Sequence, residues 1–186
     1  MNKLIISFLI VLSSTIAFSQ SKAKIKKHKI KSTSTEVSTM EGGETKVVKE
    51  SETYDAAGNV IEESKYINGR LKSKETFKFN KNGNPIEHSI YDSDGNIKKK
   101  STKKYNINND IIEQYTYDIN GKLLKKEITN YNPFNEKTTE ITYNGQDQMI
   151  QKEVYSYDER GLKKDKLTYN SENKLIEKKI YTFITK

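Results

Sequence analysis

Tyrosine and phenylalanine recur at a fixed interval along this chain. One series has a spacing of 26 residues, and a second series of the same period is offset from it by 12. The first consists of Phe79, Tyr105, Tyr131, Tyr157 and Phe183, and the second of Tyr91, Tyr117, Tyr143 and Tyr169. Internal repetition at this interval is typical of one small structural unit that is copied along the chain.

Each ring of the two series except Phe183 is followed directly by Asp or Asn, and so is Tyr54. Four residues after the ring comes a residue that tolerates positive φ: Gly58, Gly83, Gly95, Asn109, Gly121, Asn135, Asp147, Gly161 or Asn173. The Asp or Asn can bond to the backbone two residues further on and so hold a turn. The motif aromatic-Asx-x-x-Gly therefore predicts a tight hairpin turn.

These turns recur every 12 or 14 residues and leave about eight residues of strand between them, roughly 27 Å of extended chain. The spacing predicts a meander of antiparallel β-hairpins with a 26-residue double unit. Two further hairpins are irregular, and their turns fall at Gly42-Gly43 and Asn68-Gly69.

The composition argues against a deep core, since only 33% of residues are hydrophobic and 31% are charged. Neither face of the predicted strands is continuously apolar, as a closed sandwich would require. We therefore predict an all-β fold in which the repeated hairpins form an elongated, twisted, largely single-layer or curled sheet. Cross-strand aromatic and Lys/Glu pairs would stabilise it.

Residues 1–19 have the features of a secretory signal peptide: one Lys near the start, an apolar run and small residues before the cleavage position. With no cysteine in the chain, the protein is predicted to be neither a cysteine-acylated lipoprotein nor a disulfide-stapled domain. The predicted organisation is a signal peptide (1–19), a basic leader with disorder as one possibility (20–32) and a β-hairpin array (33–186). An exported protein of the periplasm, cell surface or exterior is expected.

The net charge of +8 is concentrated in the basic leader. Its six lysines precede the first acidic residue after the signal peptide: Lys22, Lys24, Lys26, Lys27, Lys29 and Lys31. Such a segment suits an anionic surface such as lipid head groups or acidic glycans, whereas export argues against a nucleic-acid partner. A solvated leader without a partner is the alternative.

The turn motif over residues 54–183 resembles that of the YD-repeat (RHS-like) family, whose unit is a Tyr-Asp-x-x-Gly turn between short strands. The resemblance implies a hairpin repeat, and it suggests binding of carbohydrate or of another polypeptide. Asn59, Asn84, Asn96 and Lys122 stand where that family usually has Arg after the glycine. What the resemblance carries over is the hairpin unit and not the family's closed shell.

Rings that recur only in some units are the candidate ligand-binding residues: Phe77, Tyr115, Tyr155 and Tyr181. Exposed rings along a sheet can stack on sugar faces. The alternative is that they supply the scarce packing of the sheet.

No catalytic, cofactor or metal site is predicted. His28 and His88 are interpreted as surface residues, and Asp92–Asn96, which resembles the start of a calcium loop, as a turn. Carboxylates beside rings leave glycan hydrolysis as a third hypothesis: Glu75, Glu113, Glu127 and Glu153.

The leading functional hypothesis is therefore a non-enzymatic β-repeat protein that recognises a glycan or a protein at the cell envelope or exterior. A protein of a different class, a structural element that associates with itself, is the second hypothesis. Its terminal strand would be an exposed edge able to pair with another copy.

Overall fold

The computed structural model describes residues 21–184 as one short helix and a single twelve-stranded antiparallel sheet. The helix is α1 (Lys22–Lys27). The strands are β1 (Ser32–Glu41), β2 (Glu44–Tyr54), β3 (Val60–Ile67), β4 (Arg70–Phe79), β5 (Pro85–Tyr91), β6 (Ile97–Tyr105), β7 (Ile111–Tyr117), β8 (Leu123–Tyr131), β9 (Lys137–Asn144), β10 (Met149–Tyr157), β11 (Lys163–Asn170) and β12 (Leu175–Ile180). The predicted signal peptide lies outside the described residues.

Every strand pairs with its neighbours in sequence, so the spatial order runs from β1 to β12 without a crossover. The sheet is open, and β1 and β12 are its two edges. This confirms the predicted all-β array of antiparallel hairpins in one layer. Within residues 21–184, no helix is long and apolar enough to span a membrane.

The aromatic-Asx-x-x-Gly motif forms the same turn in all nine places where it occurs. In the turn after Tyr117, the Asp118 carboxylate accepts hydrogen bonds from the backbone N–H groups of Asn120 and Lys122. Gly121 has a φ of 77°. The other eight motifs repeat the paired Asx bonds and the positive φ. The turn prediction is confirmed, and the turn at Asp92–Asn96 is one of the nine.

Each of these turns also contains a register shift that the sequence analysis did not anticipate. In the hairpin of β6 and β7, the shift falls between Lys104 and Tyr105, and Tyr105 lies opposite Ile111. Simple alternation places Ile111 on the face of Glu113 and Tyr115, but it instead lines a groove with Tyr105 and Gln114. The bulge moves the first residue of a strand to the other face.

The two aromatic series mark opposite strand ends and opposite faces of the sheet. Successive turns of a meander alternate between the two ends of the strands, so Tyr105, Tyr131 and Tyr157 lie at one end, which we call the Tyr105 end, and Tyr117 and its series lie at the other. We call the face that carries Tyr115 and Tyr117 the Tyr115 face. The face that carries Tyr155 and the Tyr105 series is the Tyr155 face.

The sheet has almost no hydrophobic core. Among the described residues, only Ile25 and Tyr54 are buried apolar side chains, and the other buried side chains are polar: Asn59, Ser89, Thr116, Thr129 and Thr168. Stability therefore comes from backbone ladders and cross-strand side-chain pairs. Lys–Glu pairs across neighbouring strands include Lys74–Glu62, Lys104–Glu113 and Lys166–Glu153.

The basic leader, for which the sequence showed no helical pattern, contains α1. The Ser21 hydroxyl accepts a bond from the Lys24 N–H at the start of this helix, and Ile25 is 2% exposed. The Lys22 ammonium donates to the Asn59 side chain, and the backbone N–H of Tyr54 donates to the Lys31 carbonyl. The leader is therefore docked against the turn between β2 and β3.

Candidate functional site

The four candidate rings do not form one row. Strand register places Tyr115 on the Tyr115 face, and Phe77, Tyr155 and Tyr181 on the Tyr155 face. Phe77 lies on β4, six strands from Tyr155 on β10, a separation of about 29 Å across the sheet. Only Tyr155 and Tyr181 come together, because the Lys163 ammonium lies 4.9 Å from the first ring and 5.6 Å from the second.

Three of the candidate rings have a Glu two residues earlier on the same strand and the same face. In β7 the Tyr115 hydroxyl donates to Glu113 at 2.7 Å, and the Lys104 ammonium bonds to Glu113 at 2.6 Å. In β10 the Tyr155 hydroxyl donates to Glu153, which Lys166 binds at 2.7 Å. In β4 the residue is Phe77, so Glu75 binds His88 instead, and Phe77 stacks on His88 with ring centroids 4.7 Å apart.

We call the group around Tyr155 the Tyr155 cluster: Glu153, Tyr155, Lys163, Lys166 and Tyr181. The side chains of Glu153 and Lys166 are only 15% and 17% exposed. Although burial favours a neutral carboxyl, hydrogen bonds from Lys166 and Tyr155 hold the pKa of Glu153 below its ordinary value. Burial, followed by the bond to Glu153, raises the pKa of Tyr155. This cluster keeps fixed charges at neutral pH and offers Glu153 as a hydrogen-bond acceptor, not as a proton donor.

A groove lies beside the Tyr155 cluster on the same face, between the rings of Tyr105 and Tyr131. It encloses about 410 Å³, within the range of small-ligand sites. Polar side chains line its floor and walls: Asn109, Asp110, Gln114, Glu127, Thr129, Lys137 and Glu140. Lys137 joins the groove to the Tyr155 cluster, because its ammonium lies 5.1 Å from the Tyr155 ring and pairs with Glu140.

The rings of the Tyr105 series are fixed by their hydroxyl groups. Tyr105, Tyr131 and Tyr157 donate to the backbone carbonyls of Pro85, Ile111 and Lys137 at 2.7, 3.1 and 2.9 Å. Each acceptor lies two residues before the point where its strand begins to pair with the next one: Glu87, Glu113 and Thr139. The hydroxyl therefore donates to a carbonyl that lies beyond the paired part of its strand, and this bond fixes the position of each ring.

We expect Tyr131→Phe to cost about 1 kcal/mol of unfolding free energy, the ordinary net value of one hydrogen bond. The matched control is Tyr117→Phe, because the contact of Tyr117 is a ring stack on Tyr115, with centroids 6.5 Å apart, and the change keeps that ring. That change should be nearly neutral. Chemical denaturation of both variants measures the difference, and equal stabilities would contradict the bridging role.

Glutamates on three adjacent strands stand directly opposite one another on the Tyr155 face. Glu52 pairs in register with Glu63, and Glu63 with Glu75. Desolvation by the surrounding strands, followed by the negative charges of Glu52 and Glu75, raises the pKa of Glu63 above its ordinary value. Ionised Glu63 therefore destabilises the first hairpins, and lowering the pH through its raised pKa relieves this cost.

Glu63→Gln should raise the melting temperature at pH 7, and the gain should vanish as the pH falls and the wild-type carboxyl becomes protonated. Glu87→Gln is the opposite control, because hydrogen bonds from Lys100 and Lys78 lower the pKa of Glu87. That variant should be less stable than the wild type at pH 7, and the loss should fade as the pH drops through the lowered pKa. Thermal melts of both variants between pH 3 and pH 8 measure this, and a loss of stability in Glu63→Gln at pH 7 would contradict it.

The leader lysines lie at the Tyr105 end of the strands, beside the turn between β2 and β3. All six side chains are exposed: Lys22, Lys24, Lys26, Lys27, Lys29 and Lys31. Lys22 also bonds to Asn59, so it contributes to the docking of α1. No group of His, Cys, Asp and Glu side chains in the described part of the chain is arranged to hold a metal ion.

The groove between Tyr105 and Tyr131 was not found from the sequence. The sequence places its rings in the regular lattice, whereas the ligand candidates that the sequence predicts are the irregular rings. The 26-residue period is the sequence signal that could have predicted the groove. It places successive rings of one series two strands apart, about 10 Å, at the same strand end. The polar lining comes from positions that the bulges and the register bring to the same face.

No family model and no curated protein matches this sequence. Several solved structures are weakly similar to this chain. A porin-like protein from Bacteroides uniformis has a TM-score of 0.37 and 12% identity, and the match covers 82% of this chain and 56% of that one. The Tc holotoxin pore of Photorhabdus luminescens has a TM-score of 0.42 and 12% identity over 72% of this chain and 8% of the toxin chain. TarM from S. aureus has a TM-score of 0.30 and 18% identity over 62% of this chain and 21% of that protein.

These scores are too low for the activities of those proteins to bear on this one. The fold and the groove define a class, an open β-hairpin repeat sheet with a polar, ring-flanked groove on one face. The chain spans little more than half of the porin-like protein and a small fraction of the toxin chain.

Proposed function

We propose that this is an exported, non-enzymatic β-repeat protein of the YD-repeat type that recognises a glycan at the cell envelope or exterior. Residues 1–19 and the nine Asx turns support the export and the repeat type, respectively. The recognition surface is the Tyr155 face, from the groove to the Tyr155 cluster. A protein ligand on the same face is the other outcome that binding experiments would detect.

The groove between Tyr105 and Tyr131 carries this proposal. Sugar recognition combines flat apolar ring faces with several hydrogen-bonding groups of fixed direction. The two tyrosines supply the walls, and their hydroxyls are already bonded to backbone carbonyls. Gln114 donates to Glu127 at 3.1 Å on the floor, so these groups are oriented before a ligand arrives. Preorganised polar groups lower the entropic cost of binding.

The test is binding of the purified protein to an array of neutral and acidic glycans, followed by calorimetric titration of the strongest binder. Gln114→Ala should lower the affinity at least tenfold, while the loss of its hydrogen bond to Glu127 should cost only about 1 kcal/mol of unfolding free energy. Gln146→Ala is the matched control, since Gln146 lies in an exposed turn at the opposite end of the strands. This variant should bind the glycan as the wild type does. A glycan that binds both variants equally well would place recognition elsewhere on the molecule.

The docked basic leader gives the protein a second contact, with an anionic surface. This part of the proposal rests on the six exposed lysines at the Tyr105 end of the strands. Replacing Lys24, Lys27 and Lys29 by Gln spares Lys22 and its bond to Asn59, so the fold should persist. Adsorption to phosphatidylserine vesicles at low salt should fall, and salt should weaken the adsorption of the unmodified protein. Unchanged adsorption would exclude the leader as an attachment segment.

A further inference from the structure

The outer side of β12 is unpaired within residues 21–184. β12 is equivalent to β8 and β10, which lie 52 and 26 residues earlier, and each of those strands pairs on both sides. Outward pairing begins at Lys125 in β8 and at Gln151 in β10, and it ends at Tyr131 and Tyr157. The equivalent segment is Glu177–Phe183, which begins in β12 and continues three residues beyond its end at Ile180, and it has no outer partner among residues 21–184.

This segment is exposed and apolar for an edge. Ile180, Tyr181 and Phe183 are 67%, 36% and 46% exposed. The Tyr181 N–H donates to Lys164 of β11, and inward and outward backbone groups alternate along an antiparallel ladder. The backbone groups of residues 178, 180 and 182 therefore point outward, where they can pair with another strand.

The cross-strand pairs inside the sheet show which sequence fits there. Lys stands directly opposite Tyr in nine places: Lys49–Tyr66, Lys74–Tyr91, Lys100–Tyr117, Lys126–Tyr115, Lys126–Tyr143, Lys137–Tyr131, Lys152–Tyr169, Lys163–Tyr157 and Lys166–Tyr155. In two of them the ammonium lies 4.5 or 5.5 Å from the ring centroid, at cation–π distance. Aliphatic pairs occur between them, as at Ile128–Ile141 and Val154–Leu167.

We propose that the protein dimerises by antiparallel pairing of β12 with β12 of a second copy, about a two-fold axis at Ile180. In this register Ile180 faces Ile180 of the second copy, and Lys179 faces Tyr181 of the second copy in both directions. Lys178 faces Thr182, and Glu177 faces Phe183. The pairing thus repeats the Lys–Tyr and aliphatic pairs of the sheet, places no like charges opposite each other, and joins the outward backbone groups.

Neighbouring registers fit less well. Moving the two-fold axis from Ile180 to residue 179 places Lys179 against Lys179 of the second copy. Moving the axis to residue 178 places Lys178 against Lys178. The other edge of the sheet, β1, contains neither Lys nor Tyr, so it cannot supply the recurrent pair. Pairing of β12 with β1 would also extend without limit, whereas the two-fold contact closes on itself.

The dimer joins the Tyr155 faces of the two copies into one surface, because residues that face each other in an antiparallel pair project to the same side. Lys179 and Tyr181 lie on that face. Two Tyr155 clusters would therefore lie on the same side, separated by the central strands. This inference does not depend on glycan binding, and the two proposals fail separately.

Sedimentation of the purified full-length chain over a wide concentration range tests the dimer. We expect a reversible monomer–dimer equilibrium. Ile180→Lys brings two ammonium groups together at the axis, so it should raise the dimer dissociation constant at least tenfold. Ile180 is exposed in the monomer, so the melting temperature of dilute protein should be retained. A wild-type chain that stays monomeric at all concentrations overturns the proposal, and filaments would point to β1 pairing and overturn it as well.

Disulfide trapping tests the register, and the chain has no cysteine of its own. Facing residues of a hydrogen-bonded antiparallel pair have Cα atoms about 5.5 Å apart, within the range that a disulfide spans. Ile180→Cys should form a covalent dimer under mild oxidation. Ile176→Cys is the control, because Ile176 is equally exposed on β12 but lies outside the paired segment. Equal cross-linking of the two variants would contradict the two-fold axis at Ile180.

Discussion

Gly145→Ala should destabilise the protein by about 3 kcal/mol, more than any other glycine-to-alanine change in the regular turns. A methyl group at this position would overlap the carbonyl oxygen of Leu123 on β8, which is backbone and cannot rotate away. Forcing extra volume into a closely packed site costs typically 1–3 kcal/mol and occasionally more. The expected readout is a lower denaturation midpoint, with local opening near β8 and β9 visible by hydrogen exchange.

Two controls separate steric overlap from backbone strain. Gly121 has a φ of 77° but open space around its Cβ position, so Gly121→Ala should cost only about 1 kcal/mol for the left-handed conformation. Ser171 occupies the same turn position as Gly145, 26 residues later, and already carries a Cβ, so Ser171→Ala should be nearly neutral. If Gly121→Ala proved more damaging than Gly145→Ala, the close approach of the β9–β10 turn to Leu123 would be refuted.

Ile25→Ala should cost about 2 kcal/mol or more, although Ile25 lies in a lysine-rich segment with only one turn and a half of helix. Its side chain is the most completely buried apolar group in the described structure, and truncating a buried Ile typically costs 2–5 kcal/mol. A six-residue helix is not stable alone, so α1 depends on this contact. Lys24→Ala, an exposed change in the same helix, should leave stability unchanged.

The loss should be concentrated in the first hairpins. Release of α1 removes the Lys22–Asn59 bond and frees the N–H of Tyr54, which donates to Lys31 in the folded protein. Limited proteolysis should then cut near the turn between β2 and β3 before it cuts the later repeats. A leader that was only a solvated arm would give no change in melting temperature on Ile25→Ala.

One part of the groove could be predicted from the sequence, and the other part depends on the register of the folded sheet. The 26-residue spacing in the sequence predicts that Tyr105 and Tyr131 lie at the same strand end, two strands apart. The inclusion of Ile111, Lys137 and Glu140 in the groove could not be predicted in this way, because it depends on bulges that change which face a strand's first residue occupies. The four irregular rings were predicted as a set, and the register divides them between two faces.

The sequence alone determined the turns, the antiparallel order and the absence of a large core. Turns are local: Asp118 needs only its own next four residues to hold the chain, and positive φ at Gly121 follows from that geometry. Nine such turns, eight of them consecutive, leave a meander as the natural arrangement.

The bulges, the docking of α1 and the close approach at Gly145 became visible only in the folded protein. Each depends on residues far apart in sequence, such as Lys22 with Asn59 or Gly145 with Leu123. Local propensity cannot predict such contacts, because they stabilise the protein only after distant segments of the chain have come into contact. The same physical reason explains why the face of each ring became known only from the register of the finished sheet.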